Sequence, residues 1–149
     1  MLRTPAPLIG ALGRTIMQSL SIPSPDGKHT ATFQYSGEIR FGPCYFTLNL
    51  DGEIVAEETF GEEARWSEDS RYLAVQQWLT TKESDGPQTA LVCFDLVRRR
   101  RCCVSTARNG FIVPKRFEGE LLIYTKQIGI RKSEYEIAFE SLPRWQPVQ

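Results

Sequence analysis

The chain is short of the side chains on which nucleophilic and metal chemistry depend. It has one histidine, His29, in 149 residues. Triad-type catalysis would need that imidazole beside a serine or cysteine. His29 instead occupies a repeat position at which a second copy carries Tyr72, which reads as an ordinary strand residue. The four cysteines, Cys44, Cys93, Cys102 and Cys103, form no C-x-x-C pair, and two of them are adjacent. That spacing suits neither a tetrahedral zinc site nor an ordinary disulfide framework. Free thiols packed as small hydrophobes in a reducing compartment are expected. There is no Gly-rich phosphate loop, no ~12-residue calcium loop, and no carboxylate pair singled out for acid–base work. No catalytic residue, metal or cofactor is therefore predicted, and the chain reads as a non-enzyme.

Long apolar runs are missing too. Nothing approaches the ~20 residues of a membrane span. The apolar stretch near the N-terminus is interrupted by Gly10, Gly13 and Arg14, which leaves it too short for a signal h-region. A cytoplasmic protein is expected. Leu8, Leu12, Ile16 and Leu20 recur every four residues, which predicts one short amphipathic helix within residues 1–20.

Neither sign of charge prevails, with 18 basic and 18 acidic side chains. The neutral total conceals a division. Glu53, Glu57, Glu58, Glu62, Glu63, Glu68 and Asp69 face Arg65 alone in the middle of the chain. The later third is basic, from Arg98, Arg99, Arg100 and Arg101 through Arg108, Lys115 and Arg116 to Lys132. Such asymmetry concerns partners more than folding.

What the chain does have is repetition. Ser24-Pro25-Asp26-Gly27-Lys28-His29 returns 43 residues later as Ser67-Glu68-Asp69-Ser70-Arg71-Tyr72. A weaker third copy, Phe117-Glu118-Gly119-Glu120, also leads into an apolar run. Asp26 and Asp69 read as carboxylates that accept N–H bonds within their own turns. A period of roughly 40–50 residues marks stacked β-meanders. Ala31, Phe33 and Tyr35 alternate on one strand face; Phe46, Leu48 and Leu50 do so on the next. Asp51-Gly52 between two strand-like runs predicts a tight hairpin. Residues 89–97 are almost continuously apolar apart from Asp95, as for a strand covered on both faces.

The Ser-Pro-Asp-Gly-Lys turn at residues 24–28, its counterpart at 67–71, and Phe94-Asp95-Leu96 closing a strand resemble blades of WD-repeat and related β-propellers. The likeness spans roughly residues 22–140, and its motif chiefly encodes a turn. It implies a scaffold of antiparallel meanders and no particular activity. Three units are fewer than the ~4–8 blades of a closed propeller. The expectation is one mainly β domain over residues 1–149: the helical segment, meander repeats over 21–145 as an open twisted sheet or a sandwich, and a loose tail at 146–149.

Two surfaces are candidate sites. Glu57, Glu58, Glu62 and Glu63 bracket Phe60-Gly61, and Trp66 follows at once, so carboxylates are expected around exposed aromatic surface as a partner-binding site. The alternative is a nucleic-acid contact through Arg98, Arg99, Arg100 and Arg101. The first favours a protein-binding domain, such as a bacterial immunity or antitoxin-type protein that covers the active site of a toxic, cationic enzyme, for example a nuclease. The second favours a nucleic-acid-associated subunit. A third reading is a hydrolase-type enzyme with His29 or a Glu pair in a sheet-end cleft, and a fourth is a scaffold that completes its sheet with another chain.

Overall fold

The two copies of the serine–aspartate turn adopt one hydrogen-bonding pattern in the computed structural model, which describes residues 7–9, 15–17, 19–39 and 42–148. In the first copy Ser24 N–H donates to His29 O (2.8 Å) and Ser24 Oγ–H to Asp26 Oδ1 (2.7 Å). Ser24 Oγ accepts from His29 N–H (3.1 Å), and Asp26 Oδ1 from Lys28 N–H (2.9 Å). The second copy repeats every bond: Ser67 N–H to Tyr72 O (2.9 Å), Ser67 Oγ–H to Asp69 Oδ1 (2.6 Å), Tyr72 N–H to Ser67 Oγ (2.9 Å), Arg71 N–H to Asp69 Oδ1 (3.1 Å). Gly27 and Ser70 take the left-handed position of each turn, at φ 75° and 65°. The serines are buried, so their hydroxyls are part of the fold. The turns also touch each other, since Asp26 N–H donates to Ser70 Oγ (2.9 Å).

These turns launch a continuous meander. Strands β1 (Pro7–Ile9) and β2 (Thr15–Met17) form a small antiparallel pair. Next come β3 (Ser19–Pro23), β4 (Thr30–Glu38), β5 (Cys44–Leu50), β6 (Glu53–Trp66), β7 (Tyr72–Trp78), β8 (Gln88–Asp95) and β9 (Arg100–Arg108). From β4 onward each pairs antiparallel with the one before it. After them β10 (Phe111–Glu118), β11 (Leu121–Ile128) and β12 (Arg131–Ala138) make a separate three-stranded sheet. The last strand, β13 (Gln146–Pro147), returns to β9 and completes an eight-stranded sheet whose edges are β3 and β13. The architecture is mainly β and antiparallel, and the large sheet does not close into a barrel. The Asp51-Gly52 hairpin is in place, with both residues at positive φ (51° and 90°).

The eight-stranded sheet is open, yet it curls far enough to wrap its own core. Leu20, Ile22, Phe33, Phe46, Leu48, Phe60, Leu73, Val75, Val92 and Phe94 form one cluster on its inner face. Strands far apart in the sheet order therefore meet: Trp66 Nε1–H on β6 donates to Ile22 O on β3 (3.0 Å). The outer face of β7–β9 packs on the smaller sheet through Tyr72, Ala74, Leu91, Cys93, Ile112, Leu122 and Tyr124. Strands β7 and β8 are thus covered on both faces, which accounts for the near-continuous apolar sequence of β8. Gln76 Nε2–H donates across the sheets to Ile112 O (3.1 Å), and Thr89 Oγ1–H to Gly110 O (2.9 Å).

Two expectations need correction. Where a helix is predicted, Leu8 is opposite Ile16 in the β1–β2 ladder and Leu20 is buried on β3, while Leu12 lies outside the described residues. A spacing of four is even, so it places residues on one face of a strand as readily as on one face of a helix. Nor is the tail loose. Gln146 and Pro147 pair with Arg101 and Arg100, and Val148 N–H donates to Arg99 O (3.0 Å).

Candidate functional site

Strand β6 is where the ladder departs most from regularity, and the predicted glutamates sit in the departures. From Val55 to Phe60 the strand advances five residues while its partner β5 advances two, from Leu48 to Phe46. From Phe60 to Ala64 it advances four while β7 advances two, from Gln77 to Val75. Glu57 and Glu58 occupy the first bulge, Glu62 and Glu63 the second. Bulges unpair backbone and re-aim side chains, and they gather beside functional sites. Glu57 adopts φ 59° without being glycine, a conformation that costs on the order of 1 kcal/mol. Gly61 marks the second bulge for a steric reason: a Cβ there would lie 2.1 Å from Gln76 Oε1.

The four glutamates do not share one environment. Glu57 is exposed at the mouth of a cleft of about 740 Å³, lined also by Val55, Gln77, Arg101, Cys103 and Arg144. Glu58 spans that cleft, accepting from Arg101 at 2.9 and 2.6 Å and from Gln77 Nε2–H at 2.8 Å. Such a two-pronged guanidinium–carboxylate pair is the strong form of the contact. Arg101 also lies over the Phe94 ring, 5.1 Å from its centroid. Glu62 is exposed near Cys44, whose thiol is pushed up by burial first and then by the charges of Glu38 and Glu62. Glu63 is only loosely paired, 3.8 Å from Arg65, with both partners substantially exposed.

The aromatic surface expected among them is absent. Phe60 is fully buried in the inner core. Trp66 is half-buried, with its N–H committed to Ile22 and its ring stacked on His29 (6.2 Å between centroids). His29 Nδ1 in turn lies 2.7 Å from Asp51 Oδ2, so the sole histidine belongs to this lateral contact between β3, β4 and β6. Trp66 fastens strands together; the patch of charge beside it is not built around an indole.

The arginine run is dispersed as well. Residues 96–99 form the turn, and Arg100 and Arg101 already belong to β9. Arg101 pairs with Glu58, Arg99 pairs with Glu53, and Arg100 donates to Asp95 Oδ2 (2.9 Å) while lying over Trp145 at 4.3 Å. Arg98 is exposed. Asp95 is fully buried and also takes both Arg71 Nε–H and Nη2–H (each 3.0 Å), with Val97 and Arg98 N–H at 3.1 Å. Burial raises its pKa, but these donors outweigh burial and hold the carboxyl at about 2, against 3.8 ordinarily.

The competing acidic and basic predictions therefore meet in space, and each removes part of the other's free charge. Sequence reasoning missed the Gln77–Glu58–Arg101 bridge and the cleft wall supplied by residues 144–148. Gly61, a glycine inside a strand-like run, was a sequence signal for the second bulge but not for the cleft. Cys93 and Cys102 pack as small hydrophobes, Cys44 is half-buried, and Cys103 is exposed on the cleft; all four are free. Among the described residues no helix is long and apolar enough to cross a membrane. Compared with protein-family models, with curated proteins and with solved structures, the chain matches none of them.

Proposed function

We propose that the chain is a protein-binding domain that docks through the bulged segment of β6, and that its role is to neutralise a toxic enzyme, in the manner of a bacterial immunity or antitoxin protein. The observation that carries the reading is the coincidence of irregular backbone with exposed carboxylates, of which Glu63 is only loosely paired, 3.8 Å from Arg65. Glu57, Glu62 and Glu63 stand on the two bulges, within a stretch that advances only four partner-strand steps, about 13 Å of sheet. Glu57 is held there at positive φ although an ordinary strand conformation would cost nothing. Backbone strain of that kind is retained where the displayed side chain is used.

The role of each group follows from its surroundings. Glu57, Glu62 and Glu63 steer a cationic surface by long-range attraction and pair with it on contact. Glu58 has its charge satisfied by Arg101 and shapes the cleft instead of contributing to the field. The cleft beside Glu57 accepts a side chain of the partner, with Arg101 and Gln77 as its polar wall. A nuclease fits as the target, because its substrate channel is basic and an acidic cover would compete with the phosphates it binds. With Arg99, Arg100 and Arg101 all paired to carboxylates of the same chain, the arginine turn has less free charge to offer nucleic acid.

The test is capture from source cells with the wild-type chain and with the Glu57→Lys/Glu62→Lys/Glu63→Lys variant. A basic protein retained by the first and lost with the second, whose catalytic activity stops on binding, supports the proposal. Equal retention by both, retention of nucleic acid alone, or turnover of a substrate by the isolated chain overturns it.

A further inference from the structure

The smaller sheet ends in a strand whose outer edge has no partner among the described residues: β12 pairs with β11 alone. The ladder shows which of its groups face outward. Leu121 is opposite Ala138, and one step further Phe139 N–H donates to Glu120 O (3.3 Å). Hydrogen-bonding alternates along an antiparallel strand, so Lys132, Glu134 and Glu136 direct their N–H and C=O groups away from β11. These side chains, with Arg131, are exposed. Tyr135 is 41% exposed although its ring stacks on Tyr124 at 5.4 Å.

The charges on this edge are ordered. Its first half carries Arg131 and Lys132, its second half Glu134 and Glu136. Edge charges normally keep strands apart. Here that holds for any partner strand laid parallel and in register, which would set like against like. A second copy laid antiparallel meets the opposite sign.

We propose that two copies of the chain join along β12 about a two-fold axis through Ser133, giving a continuous six-stranded antiparallel sheet. The register follows from the backbone. Outward-facing residues must pair with outward-facing residues, which leaves a few alignments. Centring on Glu134 pairs Lys132 with Glu136 twice but sets the Glu134 carboxylate against its own copy, and centring on Tyr135 sets Glu134 against Glu136 twice. Centring on Ser133 places Lys132 opposite Glu134 twice and Arg131 opposite Tyr135 twice. Opposite charges across a strand pair attract, and the guanidinium comes beside the part-exposed ring of Tyr135, which already holds Lys126 Nζ 5.3 Å from its centroid. The bulged segment of β6 is on the other sheet, so the two surfaces act independently.

Sedimentation equilibrium of the full chain over a wide concentration range tests this. Wild type associates to a dimer. Lys132→Glu or Glu134→Lys alone turns both symmetry-related contacts repulsive and weakens association roughly tenfold or more. The doubly swapped Lys132→Glu/Glu134→Lys chain regains it, which a merely structural role of either residue would not allow. Ser133 and its copy would form a non-hydrogen-bonded pair about 4.5 Å apart at Cα, within disulfide range. In a Cys103→Ser background, Ser133→Cys therefore cross-links on mild oxidation and Lys132→Cys does not. A wild type that stays monomeric throughout, a dimer indifferent to both single reversals, or equal cross-linking at 132 and 133 overturns the proposal.

Discussion

Replacing Asp95 tests how the arginine turn is held. Its carboxylate is fully buried and receives five hydrogen bonds: two from Arg71, one from Arg100, and one each from the backbone of Val97 and Arg98. Asp95→Ala removes the anion and leaves two guanidinium groups around an empty site. Breaking a buried pair costs about 3–5 kcal/mol. Arg71 and Arg100 each keep about a quarter of their side-chain surface in water, which favours the low end, near 3 kcal/mol. The pH dependence gives an independent figure. A carboxyl at about 2 in the folded chain, against 3.8 ordinarily, corresponds to between about 2 and 3 kcal/mol. Because the folded value is the lower one, that stability is complete above about pH 5 and disappears as the pH falls through 4 towards 2. Urea unfolding at several pH values measures both effects. At pH 7 Asp95→Ala lowers the midpoint by roughly 1 M or more with an unchanged slope. Between pH 5 and 2.5 wild type loses more stability than the variant, and the two curves converge. Parallel curves over that interval would refute the assignment.

Four further outcomes are expected. Ser67→Ala removes a buried hydroxyl that bonds both Asp69 and the Tyr72 amide, and lowers unfolding free energy by about 1–2 kcal/mol in chemical denaturation; Ser24→Ala does the same by the repeat. Gly110→Ala sets a Cβ 2.5 Å from the Gln127 carbonyl oxygen and costs about 1–3 kcal/mol, seen as a lower Tm. Gly61→Ala collides with Gln76, breaks its bond to Ile112 O, and lowers Tm while weakening the join between the sheets, read as faster amide exchange in β10. Glu58→Gln leaves Arg101 unneutralised in the cleft and slows association of the captured partner far less than reversal of Glu57, Glu62 and Glu63 does, in stopped-flow measurements.

The parts of the fold that could be read from the chain are those set by neighbours in sequence. The serine–aspartate turns close within six residues, so their bonds are encoded locally, and the copy at 67–72 repeats the one at 24–29. The alternation of Phe46, Leu48 and Leu50, and the double-sided burial of β8, are likewise visible in composition and period. The N-terminal segment was misleading because residues four apart share a face in both helix and strand. The charge pairing was hidden for another reason. Glu58 and Arg101 are 43 residues apart, and only the curl of the large sheet brings them together. The bulges of β6 were hidden too, because a bulge depends on what the partner strand does. Locating the glutamates was therefore easy, whereas learning that Glu58 is already neutralised needed the structure.

The most direct test of docking through β6 is the association rate of the captured partner at low and high ionic strength. The account predicts a wild-type rate that falls steeply with added salt, and a slow, nearly salt-independent rate for the variant with Glu57, Glu62 and Glu63 reversed. A variant that associates as fast as wild type, with the same salt dependence, would contradict it.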